Sequence, residues 1–436
     1  MQSDNINPPS LKALIPFLVF LGLFLGTGII LTYQGVEFAF YQLPASIAII
    51  PAVFVALYLG KETIDKKIGQ FIKGAGHENI ITMCMIYLLA GAFASVAKAT
   101  GSVDASVQLG LALFPAYLLL PGLFIVSAFI ATAMGTSMGT IAAIAPIALG
   151  FVETADVNPA LIAGVIISGA IFGDNLSIIS DTTIAATRSQ GAQMKDKFKT
   201  NFKFAVPAAV ICLVIFTFLG ESIDYQTSSD IQFIGLIPYL LILTLALLGV
   251  NVFVVLTVGI ITAALIGYIS SGYELLAFVS DINSGFSNMQ DIFILSLFIG
   301  GLSALVKHQG GLAALTRKIE ATTRSISKNN NKKAAGVGIG MLAFFTNFFT
   351  ANNTVSIIVT GDTAKELATD AELTPAQSAS LLDIFACISQ GLIPYGAQAL
   401  LLGATMKISP VDVVTYSFYP MVLFIVVLLM YNKATK

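Results

Sequence analysis

Apolar runs of 16 to 23 residues with few charges recur from one end of this 436-residue chain to the other. That repetition limits the fold more than any other feature. A run of about 20 apolar residues makes a helix long enough to cross a hydrocarbon core. Backbone groups inside lipid must be satisfied within the spanning structure, so repeated runs imply a bundle of helices. Composition agrees: 56% of the residues are hydrophobic and 11% are charged, against about 25% charged in soluble domains. The first run, Leu11 to Leu31, has no basic leader and no small-residue cleavage site before Tyr33. It reads as a retained span, not a signal peptide. The fold class is an all-α polytopic membrane protein with roughly 10–12 transmembrane segments.

Basic residues mark the sides of the membrane. Four lysines lie in Lys61 to Lys73, five Lys/Arg in Arg188 to Lys203 and seven in Lys307 to Lys333, whereas Glu221 to Asp230 has three acids and no base. The positive-inside rule puts the basic segments in the cytoplasm and the acidic one outside. Two spans precede Lys61, so the N-terminus is cytoplasmic. A final span, Val411 to Met430, ends at Lys433 and Lys436, which puts the C-terminus on the same side.

The two halves resemble each other. Gly74 to Asn79 leads into a span ending at Lys98, and 209 residues later Asn283 to Asn288 leads into a span ending at Lys307. Asn158-Pro159-Ala160 maps onto Thr374-Pro375-Ala376 at an offset of 216. Charge is reversed between the halves: the segment before the span holds four lysines in the first half, and its counterpart Ser271 to Asn288 holds Glu274, Asp281 and no base. Similar halves of opposite orientation are the inverted repeats of many secondary transporters. The boundaries are 1–220, with a broken region at 117–186, and 221–436, with a broken region at 334–406.

Each broken region interrupts apolar sequence with small polar residues. In the first half these are Gly135-Thr136-Ser137-Met138-Gly139 and Gly173-Asp174-Asn175-Leu176-Ser177-Ile178-Ile179-Ser180-Asp181-Thr182-Thr183. At offset 216 the second half has Ala351-Asn352-Asn353-Thr354-Val355 and Ile388 to Gln398, which includes Gln390 and Tyr395. Unwound backbone at membrane depth must be buried in protein or line a cavity, and ionisable groups there mark functional sites. The four breaks are expected to converge on one repeat interface, with carboxylates only in the first half. Oxygen ligands of this kind suit a hard monovalent cation, and Na+ is placed at Asp174 and Asp181. Competition of a proton and a cation for one carboxylate is sufficient for exchange. Ser177, Ser180, Thr182, Thr136, Ser137, Asn352 and Asn353 are the neutral ligands or their supports. Asp383, inside an apolar helix, is a second proton-site candidate.

Structural roles compete with these. Asp174 fits a helix end after Gly173, and Asp181 fits an N-cap. Gly135 and Gly139 have the GxxxG spacing of close helix packing, which would make Thr136 and Ser137 packing residues. Arg188 and the lysines after it read as a solvated cytoplasmic face. His77 and His308 sit at span ends without metal-like partners. Cys84, Cys212 and Cys387 lie singly in apolar sequence and read as buried hydrophobes. No phosphate-binding loop, nucleophile elbow, zinc motif or dinucleotide fingerprint is present. The chain is therefore read as no enzyme, without cofactor or nucleic-acid partner, in contact with membrane lipid and driven by an ion gradient.

The run Gly173 to Thr183 resembles the G-D-x-x-S-x-x-S-D-T-T signature of NhaC-type sodium/proton antiporters. Gly135 to Thr140 and Asn352-Asn353-Thr354 are similar to that family's other polar breaks. The resemblance covers essentially the whole chain. It implies exchange of Na+ for H+ across the bacterial inner membrane by an elevator-type homodimer in the wider ion-transporter superfamily. NhaC-like proteins also include carriers of organic solutes. The alternative reading is a Na+- or H+-coupled transporter of an amino acid or carboxylate, with Asn175, Gln390, Tyr395 and Gln398 as solute contacts.

Overall fold

A computed structural model describes residues 8–36, 39–113, 115–155, 157–220, 232–326 and 332–434. The acidic connection Glu221 to Asp230, part of the basic connection ending at Lys333, and Lys436 lie outside the described residues. Every regular element among those described is helical. The first half comprises α1 (Ile15–Tyr33), α2 (Ala45–Tyr58), α3 (Ile64–Ala75), α4 (Glu78–Ala99), α5 (Ser102–Leu113), α6 (Leu119–Met134), α7 (Ser137–Ala155), α8 (Pro159–Leu176), α9 (Asp181–Gln190) and α10 (Met194–Gly220). The second half comprises α11 (Ile237–Leu247), α12 (Val252–Ser271), α13 (Leu275–Asn288), α14 (Gln290–His308), α15 (Gly311–Ile326), α16 (Lys332–Thr350), α17 (Asn353–Asp370), α18 (Pro375–Gln390) and α19 (Ala397–Met406), then α20 (Pro410–Thr415) and α21 (Phe418–Ala434). Among the described residues, eight segments are long and apolar enough to cross a membrane, and four shorter apolar helices accompany them. The final span expected from the sequence, Val411 to Met430, falls within the spanning segment Pro410–Tyr431. Its helix is interrupted at Tyr416 and Ser417, where the Tyr419 amide donates to Ser168 Oγ at 3.2 Å.

The chain forms two compact units whose segments interleave. The first contains Met1–Cys84, Ala185–Gln193 and Asp291–Gln390; the second contains Met85–Ile184, Met194–Gln290 and Gly391–Lys436. Each unit thus joins the leading helices of one half to the central helices of the other. The helices following the α8 and α18 breaks leave the unit of the preceding helix: most of α9 belongs to the first unit, and α19 to the second.

In the second unit, α6 and α8 pack most extensively. Bare backbone makes that approach possible: a Cβ on Gly173 would lie against Ala131 Cβ and 2.6 Å from the Thr132 nitrogen. Lipid gives helices little hydrophobic reason to associate, so small residues that admit close backbone contact set the pairing. Phe124, Phe172, Phe216 and Tyr419 fill the adjoining layer with ring contacts at 5.5 to 6.4 Å. In the first unit, α16, α17 and α18 pack together, with Gly340 of α16 against the Phe385 ring of α18. All three cysteines are buried and outside any disulfide, as their apolar surroundings predict.

Candidate ion-binding site

The four polar stretches are four helix ends. Gly135 ends α6 at φ 68°, and Thr136 caps α7 by accepting the Gly139 amide at 3.4 Å. Gly135 is thus a left-handed terminator, not one face of a continuous GxxxG helix. It also brings two breaks together, because a Cβ there would lie 2.8 Å from Ile179 Cγ1 and 3.1 Å from the Ile179 carbonyl carbon. Helix α8 ends at Leu176 with Ser177 extended, and Ser180 caps α9 by accepting the Thr183 amide at 3.3 Å. Asp181 is therefore not the N-cap: it is the first residue of α9, exposed, with its negative charge at the positive end of the helix. In the second half, Ala351 takes φ 48° and Asn352 caps α17 through the Val355 amide at 3.0 Å. Residues 391–396 separate α18 from α19.

The second unit gathers one carboxylate and its partners around the α8 terminus. Asp174 is 5% exposed, and its Oδ2 accepts the Ser137 hydroxyl at 3.1 Å. Gln398 Nε2 donates to the same Ser137 oxygen at 2.9 Å. Gln398, read from sequence as a solute contact, thus stands in the same chain of groups as Asp174. The carbonyls that α8 leaves unbonded find partners in turn. Asp174 O accepts Ser180 Oγ at 3.1 Å, and Ser177 O accepts Thr183 Oγ1 at 2.7 Å. Ser180 Oγ also lies 3.1 Å from Thr182 Oγ1. Ser177, Thr182 and Tyr395 are buried in this unit, and Thr136 is half-buried.

Sequence reasoning missed a buried cation here. Lys197 is 1% exposed; its Nζ donates to Asn175 O at 3.0 Å and to Thr183 Oγ1 at 2.7 Å. Asn201, one turn further along α10, donates to the same Asn175 carbonyl at 2.9 Å. An ammonium at a helix C-terminus answers the unsatisfied carbonyls and the negative end of the dipole. Lys197 therefore corrects the reading of this basic segment as a wholly solvated face, although Arg188 is exposed. A signal for it exists in the sequence. Lys197, Asn201, Phe204, Ala205, Ala208 and Cys212 share the buried side of α10, so the apolar stripe extended back at helical spacing reaches Lys197.

The first unit has a neutral counterpart. Asn347 Nδ2 donates to Ser389 Oγ at 2.9 Å and to Gln390 Oε1 at 3.1 Å. Thr350 Oγ1 donates to Asn352 O at 3.1 Å. Gln190, at the end of α9, donates to Gly361 O at 2.8 Å and accepts from Ser378 Oγ at 2.8 Å. Asp383 is fully buried in α18, and Asn353 is buried at the start of α17. The sequence-selected residues thus fall into two polar clusters, one in each unit. Among the described residues no group of three or more His, Cys, Asp or Glu side chains could hold a metal ion.

Broken helices, a buried carboxylate and paired polar clusters in a multi-span bundle define a membrane carrier. The chain belongs to the Na+/H+ antiporter family, whose sequence model matches residues 8–221 and 228–432. It is 26% identical over 444 aligned residues to the malate-2H+/Na+-lactate antiporter of Bacillus subtilis, covering 94% of this chain and 91% of that protein. It is also 26% identical to the Na+/H+ antiporter NhaC of Bacillus subtilis over 409 residues, covering 87% and 89%. The NhaC antiporter of Alkalihalophilus pseudofirmus is 23% identical over 365 residues, covering 77% and 78%.

Proposed function

We propose that this chain exchanges Na+ for H+ across the bacterial inner membrane, with Asp174 as the group that holds the proton and the cation in turn. The observation that carries this reading is the buried Asp174 carboxylate at the α8 break, bonded to Ser137 and linked through it to Gln398. A carboxylate among hydroxyl and amide oxygens can exchange a proton for a hard cation when the ion displaces those hydrogen bonds. Ser177, Ser180 and Thr182 are assigned to the neutral shell. Asp181, exposed at the start of α9, gathers cations at the mouth. Asn352, Asn353 and Asp383 are assigned to the polar cluster of the first unit, with Asp383 as a second proton site.

The proposed frame is a pair of inverted repeats, 1–220 and 221–436, operating as an elevator in a homodimer with both termini cytoplasmic. In support, the family match divides between residues 221 and 228. The order of spanning and amphipathic helices in α1–α10 also recurs in α11–α21. Purified protein in liposomes with an imposed pH gradient tests the function: added Na+ alone should collapse the gradient. A gradient that stays intact until a carboxylate is supplied would favour carriage of an organic solute. That second reading has one observation behind it, equal identity to the malate/lactate relative and to the NhaC relative.

A further inference from the structure

The packed helices α15 and α16 leave an open groove of about 680 Å3 between them, within the first unit. Leu315, Ile319 and Ile326 of α15 line one wall, and Val337, Met341 and Phe345 of α16 line the other. Both sets recur at helical spacing, so each wall is an apolar stripe along its helix. From Leu315 to Ile326 the stripe extends about 16 Å at the rise of an α-helix. Close backbone contact makes the floor, where a Cβ on Gly338 would strike Thr323 Oγ1. Ile326 is 64% exposed and Phe345 45% exposed, so large apolar side chains stand uncovered along the groove. Water fills such a slot at a cost that a hydrocarbon chain does not incur.

We propose that the α15–α16 groove binds an anionic phospholipid, with an acyl chain on the apolar walls and the phosphate against Lys318 and Lys333. The shape and the lining select a lipid, because a small soluble anion would leave both apolar stripes uncovered. The charge then selects an anionic headgroup. Lys318 and Lys333 border the groove, one on each helix, and no carboxylate lines it. Among the described residues neither lysine is ion-paired with an acid, whereas Arg324 is held by Glu320 and Asp370. Exposure of both lysines suits this ligand, whose headgroup stays in water while the lysine stems cover apolar surface. A second copy of the chain fits less well. A two-fold contact along this groove would set the same lysines of two copies against each other.

Native mass spectrometry of the full-length protein released from detergent tests the inference. Phosphatidylglycerol and phosphatidylcholine with identical acyl chains are added in equal amounts. Phosphatidylglycerol adducts should exceed phosphatidylcholine adducts at least fivefold, the order expected for one lysine facing an anionic headgroup. The double variant Lys318→Gln, Lys333→Gln should keep both lipids and lose the preference. Thr322→Trp places an indole in the groove from an exposed position and should abolish retention of both. Equal retention of the two lipids by the unaltered protein, or no lipid adduct at all, overturns the proposal. So does a preference that survives in the double variant, or retention that survives in Thr322→Trp. A dimer that Thr322→Trp dissociates would make the groove a contact between copies and would overturn it as well. If the double variant does not fold, Thr322→Trp alone still decides whether the groove holds the lipid.

Discussion

At the end of α8, in the second unit, the polar groups include Asp174 and Lys197. At the end of α18, in the first unit, the corresponding network is Asn347, Ser389 and Gln390, all neutral. Both solve one problem, a helix terminus inside an apolar bundle whose last carbonyls need donors. Amides and hydroxyls suffice for that, as the first unit demonstrates through Asn347. A buried carboxylate and a buried ammonium are far costlier to desolvate. Asp383 is also buried in α18, further from that helix's end, so what sets the α8 terminus apart is a carboxylate and an ammonium placed at the break itself. The difference separates helix termination, which neutral groups achieve, from the charge at the α8 break, to which the proposed exchange assigns a task.

The largest effect should come from setting the two buried carboxylates against each other. Asp174→Asn should reduce Na+-driven proton movement in liposomes on the order of a hundredfold or more, about 2.7 kcal/mol in the barrier, because an amide cannot carry the exchanged proton. Asp383→Asn should reduce it no more than about tenfold. Equal losses would erase the distinction between the units.

Packing offers the next contrast. Gly173→Ala drives a methyl into the backbone of α6, whereas Gly340→Ala meets the ring of the Phe385 side chain. Overpacking costs about 1–3 kcal/mol, with Gly173→Ala at the upper end and the lower melting temperature of the two. The subtlest test concerns Lys197. Lys197→Gln keeps a donor for the Asn175 carbonyl but removes a positive charge beside the site. The Na+ concentration for half-maximal exchange should fall about tenfold, one factor of ten for roughly 1.4 kcal/mol of repulsion relieved. Lys197→Arg should leave it unchanged.

Much of this was readable from residue order. Long apolar runs gave the helices, and the stretches at Gly135, Gly173, Ala351 and Gln390 gave the helix ends. They stand out because lipid tolerates polar residues and unwound backbone only where protein satisfies them. Three features were not read. Ser180, not Asp181, caps α9, because capping depends on a single rotamer choice among neighbouring polar residues. Lys197 was hidden in a basic cluster whose other members are solvated, and only helical phase separates it from them. Interleaving of the units was unreadable in principle: which bundle α9 and α19 join depends on contacts such as Gln190 with Ser378 and Gln398 with Ser137, 188 and 261 residues apart.

Direct binding of Na+ to the purified protein is the measurement closest to the central claim. With K+ replaced by Na+ at constant ionic strength, the melting temperature of the unaltered protein and of Asp383→Asn should rise with Na+ concentration, as linkage requires of a ligand bound to the folded state. Asp174→Asn should show no Na+-dependent rise. A rise that persists in Asp174→Asn would place the cation elsewhere and contradict the account.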